Sequence, residues 1–252
     1  MNGYVELHCH SNFSLLDGAS HPEELVTRAS EIGMSALALT DHDGLYGAMR
    51  FYKAAKAAGI KPIIGAELTL DGNQHIILLA KNNEGYSNLC RLITKAHLDH
   101  SKGSPSTAFS SLAEHSKGII CLSGCRQGEV QSLVLDGKTE QAEIAAMRYH
   151  DIFGQDYFIE LQNNLCPGDE RLCMRMLQLA EGLGIRCVAT NDVHYACRDG
   201  HRLQDILVCI KNSVTLDRSG SVRRPNSEFY LKSDEEMSSL FPKYPEVLCN
   251  ST

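Results

Sequence analysis

An α/β fold, a barrel of alternating strands and helices, is what the sequence predicts, and three observations predict it. Short β-rich runs alternate with helical stretches along most of the chain. The 252 residues, 43% of them hydrophobic, suffice for one large domain, and barrels of this kind often reach that size as a single unit. Clusters rich in His and Asp recur directly after the strands, at the edge where such barrels carry their sites. Parallel neighbours need crossover connections, and a series of these in one hand closes into a barrel; an open doubly wound sheet is the competing architecture.

Residues 4–7 read as the first strand. Ser20, with Glu23 three residues on and Pro22 in the first turn, predicts a capping box that opens a helix running to about Gly33. Residues 35–39 form the second strand, 45–58 a helix ended by Gly59, and 60–64 the third strand. Residues 68–70 and 75–80 flank Asp71-Gly72-Asn73 as a hairpin, followed by helical period over 85–97. Residues 98–109, with Gly103, Pro105 and several serines, are a loop. Strands are then expected at 119–122, 157–161 and 186–189, and helices at 129–135, 138–153 and 169–183. The chain divides into a barrel domain, residues 1–215, and a C-terminal appendage, residues 216–252, entered through a loop that carries Arg218, Arg223, Arg224 and Pro225.

A formal charge of −7 argues against a protein that grips nucleic acid by a broad basic face, but leaves room for one phosphate held at a metal. With no signal-like start and no apolar run of about 18 residues, a cytoplasmic chain without membrane association is expected. Ten cysteines at irregular spacing, with no C-x-x-C pair, read as reduced thiols.

The candidate ligands fall where strands end. His8-Cys9-His10 closes the first strand, and side chains two apart on an extended segment share a face, so both imidazoles can reach one metal while Cys9 faces away. Asp17 lies in the loop beyond. The second strand runs into Asp41-His42-Asp43, the third reaches Glu67, a later one ends at Cys125, and the last at Asp192-Val193-His194. Any one of these is more often a turn former or a solvated residue; five such places at equivalent strand ends are not explained by turn chemistry. For Cys125 a small buried hydrophobe, and for His97 a helix-end residue complementing the dipole, are equally good readings. His75 is assigned to structure or surface, as are His21, His100, His115, His150 and His201. Arg126 and the Arg223-Arg224 pair could meet phosphate, though a solvated role is the commoner one. Imidazole, carboxylate and one thiolate favour zinc, with manganese or iron compatible, and the surplus of ligands implies two or three ions sharing carboxylates, an arrangement suited to phosphate-ester hydrolysis. Asp41 or Asp43 would orient His42 from behind.

The runs His8-Cys9-His10-Ser11, Thr40-Asp41-His42-Asp43-Gly44, Gly65-Ala66-Glu67, Leu122-Ser123-Gly124-Cys125 and Thr190-Asn191-Asp192-Val193-His194-Tyr195 resemble the PHP (polymerase and histidinol phosphatase) domain of bacterial DNA polymerase III alpha subunits. Ser11 to Leu25 is most similar to the error-prone alpha subunit. The resemblance implies a distorted (βα)7 TIM-like barrel of the PHP type and nine metal ligands: His8, His10, Asp17, His42, Glu67, His97, Cys125, Asp192 and His194. His8, His10, Asp17, His42, Glu67, Asp192 and His194 would carry the catalysis. It further implies 3′-to-5′ exonuclease-like hydrolysis in replication or damage-tolerant synthesis, with a DNA 3′ end as substrate. The expected partners are downstream polymerase domains of the same chain and other replication proteins. The competing functions are a metal-stabilised docking module and a stand-alone phosphatase for a small ester.

Overall fold

The computed structural model describes residues 3–252; the first two residues of the expected barrel domain lie outside that range. Six strands form one sheet in sequential order: β1 (Ala36–Leu39), β2 (Lys61–Thr69), β3 (His75–Ala80), β4 (Ile119–Leu122), β5 (Tyr157–Gln162) and β6 (Arg186–Thr190). β1 pairs with β2, β4 with β5 and β5 with β6 in parallel, whereas β3 runs antiparallel to both its neighbours. The segment 4–10 bridges both edges, Glu6 to Leu37 and Cys9 to Val193, so the ring closes as a distorted barrel. The hairpin at 71–74 is present, with Thr69 opposite His75.

The bridging segment carries a bulge. Ala38 N donates to Glu6 O and Thr40 N to Cys9 O, so three residues of the segment are matched to two of β1. Val5 and Leu7 belong to the barrel interior with Ala36, Ala38, Ile77, Leu79, Leu122, Phe158 and Val188. Beyond the bulge, His8 and His10 face the donor cluster at the mouth of that interior, and Cys9 packs outside, in the larger core between sheet and helices. Alternation places a polar residue above the apolar ones on several strands: Glu67 above Ile63, Glu160 and Gln162 above Phe158, Thr190 above Val188.

Outside lie α1 (Pro22–Glu31), α2 (Ala48–Ala57), α3 (Asn83–Asp99), α4 (Phe109–Glu114), α5 (Glu129–Leu135), α6 (Thr139–Phe153), α7 (Asp169–Leu183) and α8 (His201–Lys211). The cap of α1 is His21, whose N–H donates to Glu24 at 2.7 Å; the Ser20 hydroxyl instead accepts from Ala196 N at 3.0 Å, and the expected box slides by one residue. The helix expected from residue 45 begins at Ala48, and the pieces expected at 60–64 and 68–70 are one strand, β2. α4 and α8 lie in stretches for which no helix was expected.

The last residues pack on the barrel. Tyr230 and Leu231 are buried; α9 (Asp234–Leu240) and α10 (Glu246–Cys249) add Met237, Val247 and Leu248 to the large core. Tyr4 N donates to Asp234 and Val5 N to Ser251, so this stretch is tied to the segment that closes the ring. All ten cysteines are free.

Candidate metal centre

His8, His10, Glu67 and Asp192 converge at one mouth of the barrel. His8 Nδ1 donates to Glu160 at 2.7 Å, which leaves Nε2 facing the cluster. His10 Nδ1 meets the Ser14 hydroxyl at 3.1 Å, and Ser14 in turn donates to Asp41 at 2.7 Å. Asp41 therefore orients His10 through Ser14, while Asp43 holds Thr69 at the end of β2; neither acts on the His42 ring. Facing the centre, His8 Nε2 is 3.0 Å from His10 Nε2, 3.3 Å from Asp192 Oδ1 and 3.7 Å from Glu67 Oε2. His10 Nε2 is 3.3 Å from Glu67 Oε2 and 3.5 Å from Asp192 Oδ1.

These separations test the fit of a metal. Donors at roughly 2.0–2.2 Å from a tetrahedral zinc are about 3.4 Å from one another. The five distances just given scatter around that edge. Three further candidate ligands form a second group: Asp17 bridges His42 Nε2 at 3.4 Å and His194 Nε2 at 3.3 Å. Glu67 links the groups, since its Oε2 also lies 3.0 Å from His42 Nδ1 and its Oε1 receives His75 Nδ1 at 2.8 Å and the Cys125 thiol at 3.6 Å.

Protons are distributed accordingly. Burial would raise the Glu67 carboxyl, yet His42 and hydrogen bonds from His10, His42 and His75 hold it well below the usual range. Burial would lower His42, but Glu67 and Asp17 push it up to about 10. His194 is lowered to about 4 by burial and by the Arg224 guanidinium. Burial and then Glu67 push the Cys125 thiol up, so it would serve as a thiolate only beside a cation.

Asp17, His42, Glu67, Cys125, Asp192 and His194 line a cavity of about 740 Å³ that opens beside the buried His8–His10 pair. Asp43 and Asp192 hold left-handed backbone at φ 46° and 49°, and Leu16 beside Asp17 at 58°, so three turns that carry candidate ligands are in conformations that non-glycine residues rarely adopt.

His97 stands apart. It is exposed on the last turn of α3, with Nε2 2.7 Å from Asp43 O, and does not meet the donor cluster. His75, assigned to structure from sequence, sits in the cluster instead, against His42 and Glu67. Arg224, assigned to solvent, is 3.3 Å from Asp192. Glu160, behind His8, was not singled out; a carboxylate inside the apolar run 157–161 is the signal that could have found it, because a buried charge needs a partner. Arg126 pairs with Asp169 on the cavity wall.

Residues 6–164 match the family model of the PHP domain. Over 98% of its length the chain is 41% identical to an error-prone DNA polymerase of Symbiobacterium thermophilum and 42% identical to the DNA polymerase III subunit alpha of Treponema pallidum. It spans 24% and 22% of those two proteins, so about a quarter of the length of the curated relatives it matches. Among solved structures, an amidohydrolase from Chromobacterium violaceum with bound sulfate and no metal superimposes with a TM-score of 0.56, at 17% identity, covering 76% of this chain and 88% of that one. A candidate metal-dependent phosphoesterase from Bifidobacterium adolescentis gives 0.53, again at 17% identity, covering 94% and 95%. Those two likenesses show a shared fold, and the family model matches more than half of the chain: it belongs to the PHP domain family.

Proposed function

We propose that this chain is the PHP domain of a bacterial DNA polymerase III alpha subunit of the error-prone type, and that its centre hydrolyses phosphodiester bonds at DNA 3′ ends. The observation that carries this reading is the set of donor distances among His8, His10, Glu67 and Asp192, 3.0–3.7 Å, at the mouth of an open cavity. Those four residues would hold one ion and Asp17, His42 and His194 a second, with Glu67 shared; Cys125 and His75 adjoin Glu67, while His97, the ninth residue of the expected set, lies apart on α3. Zinc suits this donor set, manganese or iron being alternatives, and the chemistry such ions supply is polarisation of phosphoryl oxygens and activation of a water. The chain's own part is orientation: Glu160 fixes His8, Ser14 with Asp41 fixes His10, and the Asp192 carbonyl accepts a hydrogen bond from His194 Nδ1 at 2.8 Å. A chain of net charge −7 suits a substrate gripped at one phosphate rather than along a duplex. Other domains of the polymerase and other replication proteins are the partners this reading implies. It also places the protein in the cytoplasm; no described helix is long and apolar enough to cross a membrane.

The test is release of nucleotide from 3′-labelled single-stranded DNA with zinc or manganese, beside a folded Asp192→Asn, His194→Ala double variant. Release by the parent protein alone supports the reading. Bound metal with no release from either protein replaces it with a metal-stabilised docking module.

A further inference from the structure

Arg224 is the one guanidinium in contact with the donor cluster among the described residues, and its surroundings are built around it. It hangs from a strap, residues 219–227, pinned on either side: Arg223 to Asp205 of α8 at 2.9 Å, and Asn226 to the Asn164 carbonyl at 2.7 Å. Its guanidinium stacks on the Phe229 ring at 4.1 Å, pairs with Asp192 Oδ2 at 3.3 Å and donates to His194 Nε2. Its Nε is buried and has no hydrogen-bond partner. Arg224 lines both the main cavity and a second hollow of about 350 Å³ shared with Arg223 and Asn226, so open space adjoins it on more than one side.

His194 Nδ1 donates to the Asp192 carbonyl, so Nε2 offers a single lone pair. A guanidinium N–H and a metal ion cannot share it. We propose that Arg224 is a displaceable cation: it neutralises the Asp192–His194 edge when metal is absent, and once metal takes that edge its freed fork binds the phosphate of the substrate in the cavity. Planar N–H pairs match phosphate oxygens in a two-point contact, and the unpartnered Nε supplies one of the donors. This inference rests on the phosphodiester reading of the centre and adds the residue that grips the anion.

The two roles have opposite signs in one variant. In Arg224→Gln, zinc affinity, measured by competition with a chromophoric chelator, should tighten about tenfold because a competing charge is gone. The affinity of the zinc-loaded protein for inorganic phosphate, measured by calorimetry, should weaken by about tenfold or more. Arg224→Lys should lie between, and Arg202→Gln, an exposed charge on α8 outside the strap, should move neither. Zinc and phosphate affinities that fall together, or a response copied by Arg202→Gln, would overturn the proposal, as would no change in either affinity. Phosphate binding that depends on Arg224 in a protein that releases no nucleotide would sustain this inference while removing the exonuclease reading.

Discussion

Gly85, the third residue of α3, is expected to tolerate no side chain. A Cβ there would lie 1.7 Å from Gly118 O, a backbone atom, whereas carbon and oxygen meet comfortably at about 3.3–3.6 Å, so helix and turn must separate by about 1.6–1.9 Å. Gly118 O cannot give way freely, because it accepts from Lys81 N at 2.8 Å and ties the turn before β4 to the end of β3. Overpacking of this kind costs about 1–3 kcal/mol and the lost hydrogen bond about 1 more, giving about 2–4 kcal/mol for Gly85→Ala. Gly182 is the contrast: it is exposed in α7, an added Cβ meets nothing within 4 Å, and Gly182→Ala should gain up to about 0.5–1 kcal/mol from the helical preference of alanine. Urea denaturation at fixed zinc measures both, with an unchanged slope showing that the denatured state is the same. A Gly85→Ala protein within about 0.5 kcal/mol of the parent would refute the close docking of α3 on that turn.

Glu160→Gln keeps the shape of the side chain but removes the charge that orients His8 Nδ1; metal affinity should fall about 10–100-fold by chelator competition, and an unchanged value would mean that other contacts orient the ring. Stripping metal from protein held at 100 times its dissociation constant should remove about 2.7 kcal/mol of stability, a fall in melting temperature of about 5–10 °C for a chain of this size. The Asp192→Asn, His194→Ala protein should show no such shift in the same thermal scan. Burial pushes the thiols of Cys173 and Cys187 up to about 12, whereas Cys197 and Cys249 are exposed, so iodoacetamide at pH 8 should label the exposed pair first, as mass spectrometry would read directly. The sign of the linked pH effect is fixed: the unfolded thiols ionise near their ordinary value of 9.0 while the folded ones stay protonated, so these two residues cost stability only as pH rises above that value. A Cys173→Ala, Cys187→Ala protein should accordingly lose less stability than the parent between pH 9 and 11 in urea titrations.

Much of the centre was legible because it lies where parallel strands end. His8, His10, His42, Glu67, Asp192 and His194 follow short apolar runs, and the fold brings those ends together. His75 escaped the same logic because β3 runs backwards: its first residue, not its last, reaches the site edge, and the hairpin that pairs Thr69 with His75 already sets that ring beside Glu67. Arg224 was hidden for a different reason. It comes from an irregular strap with no period to read, and its burial depends on Phe229 and Asp192, contacts no local pattern encodes. α8 was legible but not read: Leu203, Ile206, Leu207 and Ile210 have helical spacing, although Leu203, Ile206 and Ile210 prove exposed. At Ser20 the residue type was right and the partner was wrong, since Glu24 as well as Glu23 could close a capping box and the tertiary contact with Ala196 claimed the serine.

The bulge in the segment 4–10 shows how closely fold and chemistry are bound together. Val5 and Leu7 must point inward to fill the barrel, and strict alternation would then turn His8 and His10 outward. One extra residue shifts the phase, so the same segment furnishes apolar packing and, directly after it, two inward imidazoles. The shift leaves the His8 N–H out of the ladder, and the Glu6 carboxylate takes it at 2.9 Å while also accepting from Asn191 N at 3.0 Å and the Tyr4 hydroxyl at 2.6 Å. Glu6 thus joins the bulge to the turn that carries Asp192 and His194. A buried carboxylate with three donors is a costly element to place in a core unless it removes a greater cost, and here it satisfies two amides that the ligand geometry strands. The position of the donor cluster and the closure of the barrel are therefore one structural problem, and the segment that closes the ring is the one that brings the first two imidazoles to the cluster.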